Sequence, residues 1–224
     1  IIYIPRFSLP IIDYAKKVGR KVIVHLHGYI PISYTGTILA PYEEHKDRIK
    51  EDDLLLEYSK SLKHYIVAKI SWDLTKLAEK WISNADRIIC VSRRHAEIVT
   101  TALPCLKSKI SVLYNPLPRN YENTVFRKQI NLPPVFLYVG GEDYIKGFHI
   151  LLKSLKILSQ FGLKLKVIFA GKYTDRSIKL LMRVKKFFLK NGIQIEILGK
   201  IPHNTLLSLH KNVWALLAPS VCEE

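Results

Sequence analysis

Four short stretches share one kind of chemistry: VGGEDYIKG from Val139, AGKYTD from Ala170, LGKIPHN from Leu198 and APSVCEE from Ala218. Each follows an apolar run and opens on glycine or on Ala-Pro-Ser. Small residues let backbone amides come close to a ligand. Where such a loop leads into a helix, free N–H groups and positive potential make a seat for phosphate. Gly140, Gly141, Gly171, Gly199 and Ser220 are the positions of close approach. Lys146, Lys172 and Lys200 add cations at the same rim. One such loop is an ordinary turn. Four at the ends of parallel strands point to an anionic ligand with a nucleotide-like backbone.

The first half offers HLHG, then VSRR and LYNPLP. His25 and His27 are two apart and share a strand face, but no third ligand is placed beside them, so a metal is not expected. His27 ends its strand just before Gly28, where a polar group reaches a cleft; His25 reads as a satisfied core histidine. Ser92 reads as the cap of the following helix. No nucleophile elbow, P-loop or H-E-x-x-H pattern is present, which argues against the common hydrolases, P-loop enzymes and zincins.

The elements that must position these residues alternate. Apolar runs at 1–4, 21–27, 87–91, 110–114, 135–139, 165–170, 193–198 and 213–218 read as strands. Most are continuous rather than alternating, as in sheets covered on both faces. Helical patterns lie between them at 9–18, at 54–83 as one long helix, and at 93–102, 148–160, 177–190 and 204–211. The fold class is therefore α/β with parallel sheets. Proline, asparagine and charge crowd residues 115–135 without a period, so the chain divides into a domain over 1–118, a linker over 119–133 and a domain over 134–224. Residues 28–53 form a second irregular stretch. The first domain opens directly on a strand and the second stops on one, so both read as incomplete.

Composition adds limits. The chain has 224 residues, 48% of them hydrophobic, and a formal net charge of +16, which favours an anionic partner. The run RSIKLLMRVKKFFLKNG holds six basic residues and no acid, at helical spacing. It is either a solvated outer face or a surface for peripheral contact with an anionic membrane. Basic and aromatic residues are not interleaved, which disfavours nucleic acid. Three cysteines at no metal spacing suit a reducing compartment, and a cytoplasmic location is expected.

Five motifs in order resemble the retaining glycosyltransferases of family four, which have two Rossmann-like domains, the GT-B fold. They are VIVHLHG, NADRIICVS, VLYNPLP, FLYVGGEDYIKGFHILLKSL and the terminal LGKIPHNTLLSLHKNVWALLAPSVCEE. The resemblance implies a retaining hexosyltransferase acting on a nucleotide-diphosphate sugar, with a lipid-linked or polysaccharide acceptor and no cofactor. Lys146 and the glycine loops would stabilise the leaving diphosphate. His27 would hydrogen-bond the donor from the first domain, and Glu224 would hold sugar hydroxyls, with Glu223 as the competing alignment. Backbone near Gly199 and Ile201 would receive the base, and Ser220 belongs to the family's Pro-Ser-x-x-Glu region. One position departs: the family has arginine after Val-Gly, where this chain has Gly141. Lysine, a point charge, does not replace a bidentate arginine. Either the loop amides and helix N-terminus compensate, or another cation such as Lys172 reaches in. Relative to the family, leading strands and a second glutamate fall outside the sequence, so the chain is expected to bind nucleotide weakly and not to turn over. Two other readings stand beside this one: a nucleotide-sugar epimerase of the same architecture, and a non-catalytic basic binding protein derived from a transferase.

Overall fold

A computed structural model of the chain describes residues 9–116 and 132–223. The residues 1–4 read as a strand, Glu224, and positions 119–131 of the linker lie outside the described residues. The chain forms two compact units, Ile1–Pro118 with Cys222–Glu224, and Arg119–Val221. Cys222 and Glu223 therefore go with the first unit, where the sequence pattern places them in the second. Cys222 bridges Leu39, the Glu223 amide donates to the Ile38 carbonyl at 2.9 Å, and the Tyr42 amide donates to the Glu223 carboxylate at 2.7 Å.

In the first unit α1 (Ile11–Lys17) precedes β1 (Ile23–Leu26). Then come α2 (Tyr42–His45), α3 (Ile49–Lys60), α4 (Leu62–Ser71), α5 (Leu74–Ser83), β2 (Arg87–Cys90), α6 (Arg93–Ala102) and β3 (Ile110–Val112). The strands pair in parallel in the order β1-β2-β3, with His25 opposite Ile89. Val24, Leu26, Ile88 and Cys90 turn inward onto Ile12, Ile82, Ile98 and Val99. The single helix expected over 54–83 is instead three. Ser61 is extended, with φ −175° and ψ 160°, and its hydroxyl accepts the His64 amide, so it caps α4 and ends α3.

The irregular stretch after β1 is organised by a residue of α3. Asp53, 1% exposed, accepts hydrogen bonds from Ser33 Oγ at 2.9 Å, from the Tyr34 amide at 2.8 Å, from the Thr35 amide at 3.2 Å and from the Thr35 hydroxyl. A loop without strand or helix partners must satisfy its backbone donors some other way. Burial pushes the Asp53 carboxyl above its ordinary range, and these donors pull the other way.

The second unit contains β4 (Val135–Val139), α7 (Phe148–Leu158), β5 (Leu165–Ala170), α8 (Asp175–Lys190), β6 (Ile193–Gly199), α9 (His203–Asn212) and β7 (Ala215–Leu217). The parallel sheet runs β6-β5-β4-β7. Neighbouring residues on β4 face opposite ways, as a strand requires: Tyr138 packs with Phe148, Leu151 and Phe188, and Leu137 packs with Val213, Leu206 and Leu209. Both faces are covered, which is why these strands read as unbroken apolar runs. The chain steps outward from β4 through β5 to β6, then returns to the other side of β4 as β7. That reversal is the switch point at which doubly wound sheets open a crevice beyond their strand ends. Among the described residues no helix is long and apolar enough to cross a membrane.

Asp86, from the NADRIICVS motif, ties the start of β2 to β1. It accepts the Lys16 ammonium at 2.7 Å and the Val22 amide at 2.7 Å, and these hold its carboxyl well below the ordinary 3.8, at about 2. A carboxyl depressed in the folded state adds stability above its unfolded pKa and loses it as pH falls through the folded one. Acid unfolding of Asp86→Asn should therefore lack a step that the wild type shows between pH 3.8 and about 2. Superimposable acid transitions for the two proteins would remove Asp86 from the tie.

Candidate functional site

In the second unit the loops beyond β4, β5, β6 and β7 are laced together by backbone. The Gly140 amide donates to the Ala170 carbonyl at 3.3 Å, Glu142 to Lys172 at 3.3 Å, Gly171 to Gly199 at 2.8 Å and Val221 to Ile145 at 3.0 Å. These bonds bring Gly140, Gly141, Lys146, Gly171, Lys172, Gly199 and Ser220 to one rim. Ile201, just past β6, is half-buried against the apolar cluster of α9 rather than facing the rim with its side chain. Close packing of this kind requires glycine, as two positions illustrate. Gly141 has φ +62° and a Cβ there would stand 2.3 Å from the Lys172 carbonyl oxygen; Gly147 has φ +71° and its Cβ would stand 1.7 Å from the Pro219 carbonyl oxygen.

Those same bonds decide which amides remain for a ligand. The amides of Gly140 and Gly171 are committed inside the protein. The start of α8 is also closed: Thr174 caps the Ser177 amide, and Glu142 Oε2 accepts the Thr174 amide at 2.9 Å and its hydroxyl at 2.8 Å. Partial burial raises the Glu142 carboxyl, but hydrogen bonds from Ser177 and Thr174 and the charge of Lys172 outweigh it, and the carboxyl lies below its ordinary value. The eleven-residue α7 differs. Its N-cap is Gly147, which has no side chain to offer the first-turn amides. Lys146 stands immediately before it, on a loop that the Tyr138 hydroxyl braces by donating to the Lys146 carbonyl at 3.3 Å. α9, after the β6 loop, also starts without a side-chain cap; α7 is the one of the two with a lysine, Lys146, immediately before its N-cap.

Gly141 stands where the resemblance expects arginine. The left-handed backbone and the abutting Lys172 carbonyl leave no room for any side chain, so this loop has a different construction from a clamp that has lost its arginine. Glu142 is invisible to motif reading; the one available signal is that an acid follows Gly-Gly directly.

The first unit has its own rim. His27 is exposed at the end of β1, and its ring centroid lies 4.3 Å from that of His25. His95 on α6 is buried, edge-on to Tyr29 at 4.7 Å. Burial, and then the neighbouring His27, lower the pKa of His25; burial likewise lowers that of His95. Both rings are therefore neutral near pH 7. His25 is not the satisfied core residue expected, because its Nε2, like His95 Nε2 and the Tyr29 hydroxyl, is buried with no hydrogen-bond partner among the described residues. A cleft of about 200 Å³ lies here, lined by His25, His27, Gly28, Ile30, Thr35 and Gly36. The loop pinned by Asp53 supplies the last three.

Glu223, expected among the sugar-binding residues, is held elsewhere. Arg94 Nε and Nη2 donate to its carboxylate at 3.2 and 3.0 Å, and Arg94 also meets Glu43 at 2.9 Å and Glu97 at 3.3 Å. These donors keep the Glu223 carboxyl below its ordinary value. Ser92 does cap α6, accepting the His95 amide at 3.0 Å. The arginine doublet after it was the sign of the Arg94 hub. The Glu224 role falls outside the described residues.

No family model matches the chain, and no curated protein matches it. Solved structures do. The chain is similar to Anabaena Alr3699/HepE in complex with UDP and glucose, at 15% identity and a TM-score of 0.58, over 96% of this chain and 51% of that one. It is similar to sucrose-phosphate synthase from Thermosynechococcus elongatus at 14% identity and a TM-score of 0.54, over 96% and 49%. The fold is thus the α/β fold of GT-B glycosyltransferases, with two parallel sheets. The chain spans about half the length of these proteins.

The contact at Gly147 has a measurable consequence. Gly147→Ala adds a clash with Pro219 to the left-handed strain of about 1–2 kcal/mol. Gly162→Ala, at φ +64° with nothing within 4 Å of its Cβ, carries the strain alone. In urea unfolding Gly147→Ala should cost at least about twice what Gly162→Ala costs; equal costs would mean that the β4 and β7 loops do not pack this way.

Proposed function

We propose that this chain is glycosyltransferase machinery whose second unit holds a nucleotide-diphosphate sugar, for transfer of the sugar to an acceptor hydroxyl with retention. The observation that carries the reading is the rim at the β4–β7 switch point, where the uncapped start of α7 stands next to Lys146. As the bond from sugar to phosphate breaks, negative charge grows on the diphosphate. A fixed ammonium and a set of prealigned amides stabilise that charge without reorganising. Glu142 fills the start of α8, so the diphosphate is directed to α7. Lys172 and Ser220 flank this position from the β5 and β7 loops. The base goes to the backbone around Gly199 and Ile201. We assign His27, at the cleft of the first unit, to a hydrogen bond with a sugar hydroxyl. Charge neutralisation by protein cations and amides makes a metal unnecessary for the leaving group. The likeness to a protein solved with UDP and glucose supports a nucleotide-sugar donor.

Calorimetry with UDP, GDP, ADP and the corresponding nucleosides tests the reading. Lys146→Ala should weaken diphosphate binding by roughly 1.5–3 kcal/mol, tenfold or more, and leave nucleoside binding unchanged. Equal diphosphate affinities would take Lys146 out of the phosphate site, and a wild-type protein that binds none of the three diphosphates would overturn the reading itself.

A further inference from the structure

The excess charge is not shared evenly. The second unit has 17 lysines and arginines against five aspartates and glutamates, a net of +12 out of the chain's +16. Helix α8 is the centre of it. Leu181 and Phe188 anchor one side to the sheet. At roughly 100° per residue, Arg176, Lys179, Arg183, Lys186 and Lys190 fall on the opposite side, and all five are exposed. Asp175, in the first turn, is the only acid on the helix.

A face that merely meets water would carry charge and little else. This one is bordered by exposed apolar side chains along both edges. Leu180 and Phe187, at 41 and 49% exposure, line one edge; Met182 and Leu189, at 56 and 59%, line the other. The turn before β5 extends the patch. The Leu165 amide donates to the Gly192 carbonyl at 3.1 Å, which sets that turn beside the end of α8. Phe161 and Leu163 stand there 69 and 47% exposed. Phosphate headgroups pair with the cations, and the acyl boundary beneath them accepts phenylalanine, leucine and methionine. A nucleic acid would use the cations and gain nothing from the aliphatic borders.

We propose that the outer face of α8, with the turn at 159–163, docks the second unit onto an anionic lipid bilayer. The patch runs the length of α8, from its start, which Glu142 closes, to the turn by the starts of β5 and β6. This inference does not depend on the nucleotide reading.

Co-sedimentation of the full chain with vesicles of phosphatidylcholine alone, and of phosphatidylcholine mixed equally with phosphatidylglycerol, tests it. Binding is expected to the anionic vesicles only. Combining Arg176→Glu, Lys179→Glu and Arg183→Glu should lower partitioning by more than about tenfold. Lys63→Glu, Lys69→Glu and Lys80→Glu together make the same charge change in the first unit and should leave partitioning within about twofold. Leu180→Ser with Phe187→Ser, both surface changes that a melting curve can check, should lower it several-fold while salt sensitivity remains. The inference fails if anionic vesicles do not bind the wild type, if the first-unit triple loses as much as the α8 triple, or if the serine pair binds like the wild type. Tighter binding to a duplex oligonucleotide than to the anionic vesicles would also overturn it.

Discussion

In the second unit the carbonyl of Pro219 occupies the space where a side chain on Gly147 would begin, and this backbone contact decides what the unit can offer a ligand. A parallel sheet covered on both faces has no surface left for binding except beyond its strand ends. There the loops must pack against each other without side chains between them. Gly147 against Pro219, Gly141 against Lys172 and Gly171 against Gly141 are the closest approaches. Packing of this kind consumes amides, so a glycine-rich rim is not automatically a cradle of free donors. What it leaves is uneven: α7 starts without a side-chain cap, whereas the start of α8 is closed by Thr174 and Glu142.

Acids sharpen that difference. Three in the second unit each meet an amide or a cation. Glu142 closes α8, Asp143 accepts the Ile145 amide at 3.1 Å, and Glu196 pairs with Lys166 at 2.5 Å. In the first unit three acids, Asp52, Asp53 and Glu57, are buried. Asp53 gathers the loop after β1, and Asp52 meets His45 at 2.6 Å and Arg48 at 3.2 Å. A buried carboxylate surrounded by donors costs desolvation and returns a defined loop conformation. The loop it defines is one wall of the cleft at His27. Burial keeps the His25 ring in that cleft neutral near pH 7.

The amino-acid sequence by itself determined the alternation of strand and helix, the β4 and β5 boundaries to the residue, and the order of the glycine loops along the chain. Apolar runs and helical spacing are local signals, and both survive without knowledge of partners. It also determined Ser92 as a cap, because a cap acts three residues away. The three-way division of the expected long helix was less legible, since no glycine or proline marks the break at Ser61. Only the tertiary structure decided which groups hold which. Asp53 reaches back about twenty residues to Ser33, Glu142 reaches forward 32 residues to Thr174, and Glu223 meets Arg94 across 129 positions. It likewise decided that Gly141 admits no arginine, because the atom in the way belongs to Lys172, a residue that chain order leaves distant and parallel pairing of β4 with β5 brings within reach. A carboxylate is spent on whatever donors the fold brings to it, and spacing along the chain does not encode that meeting.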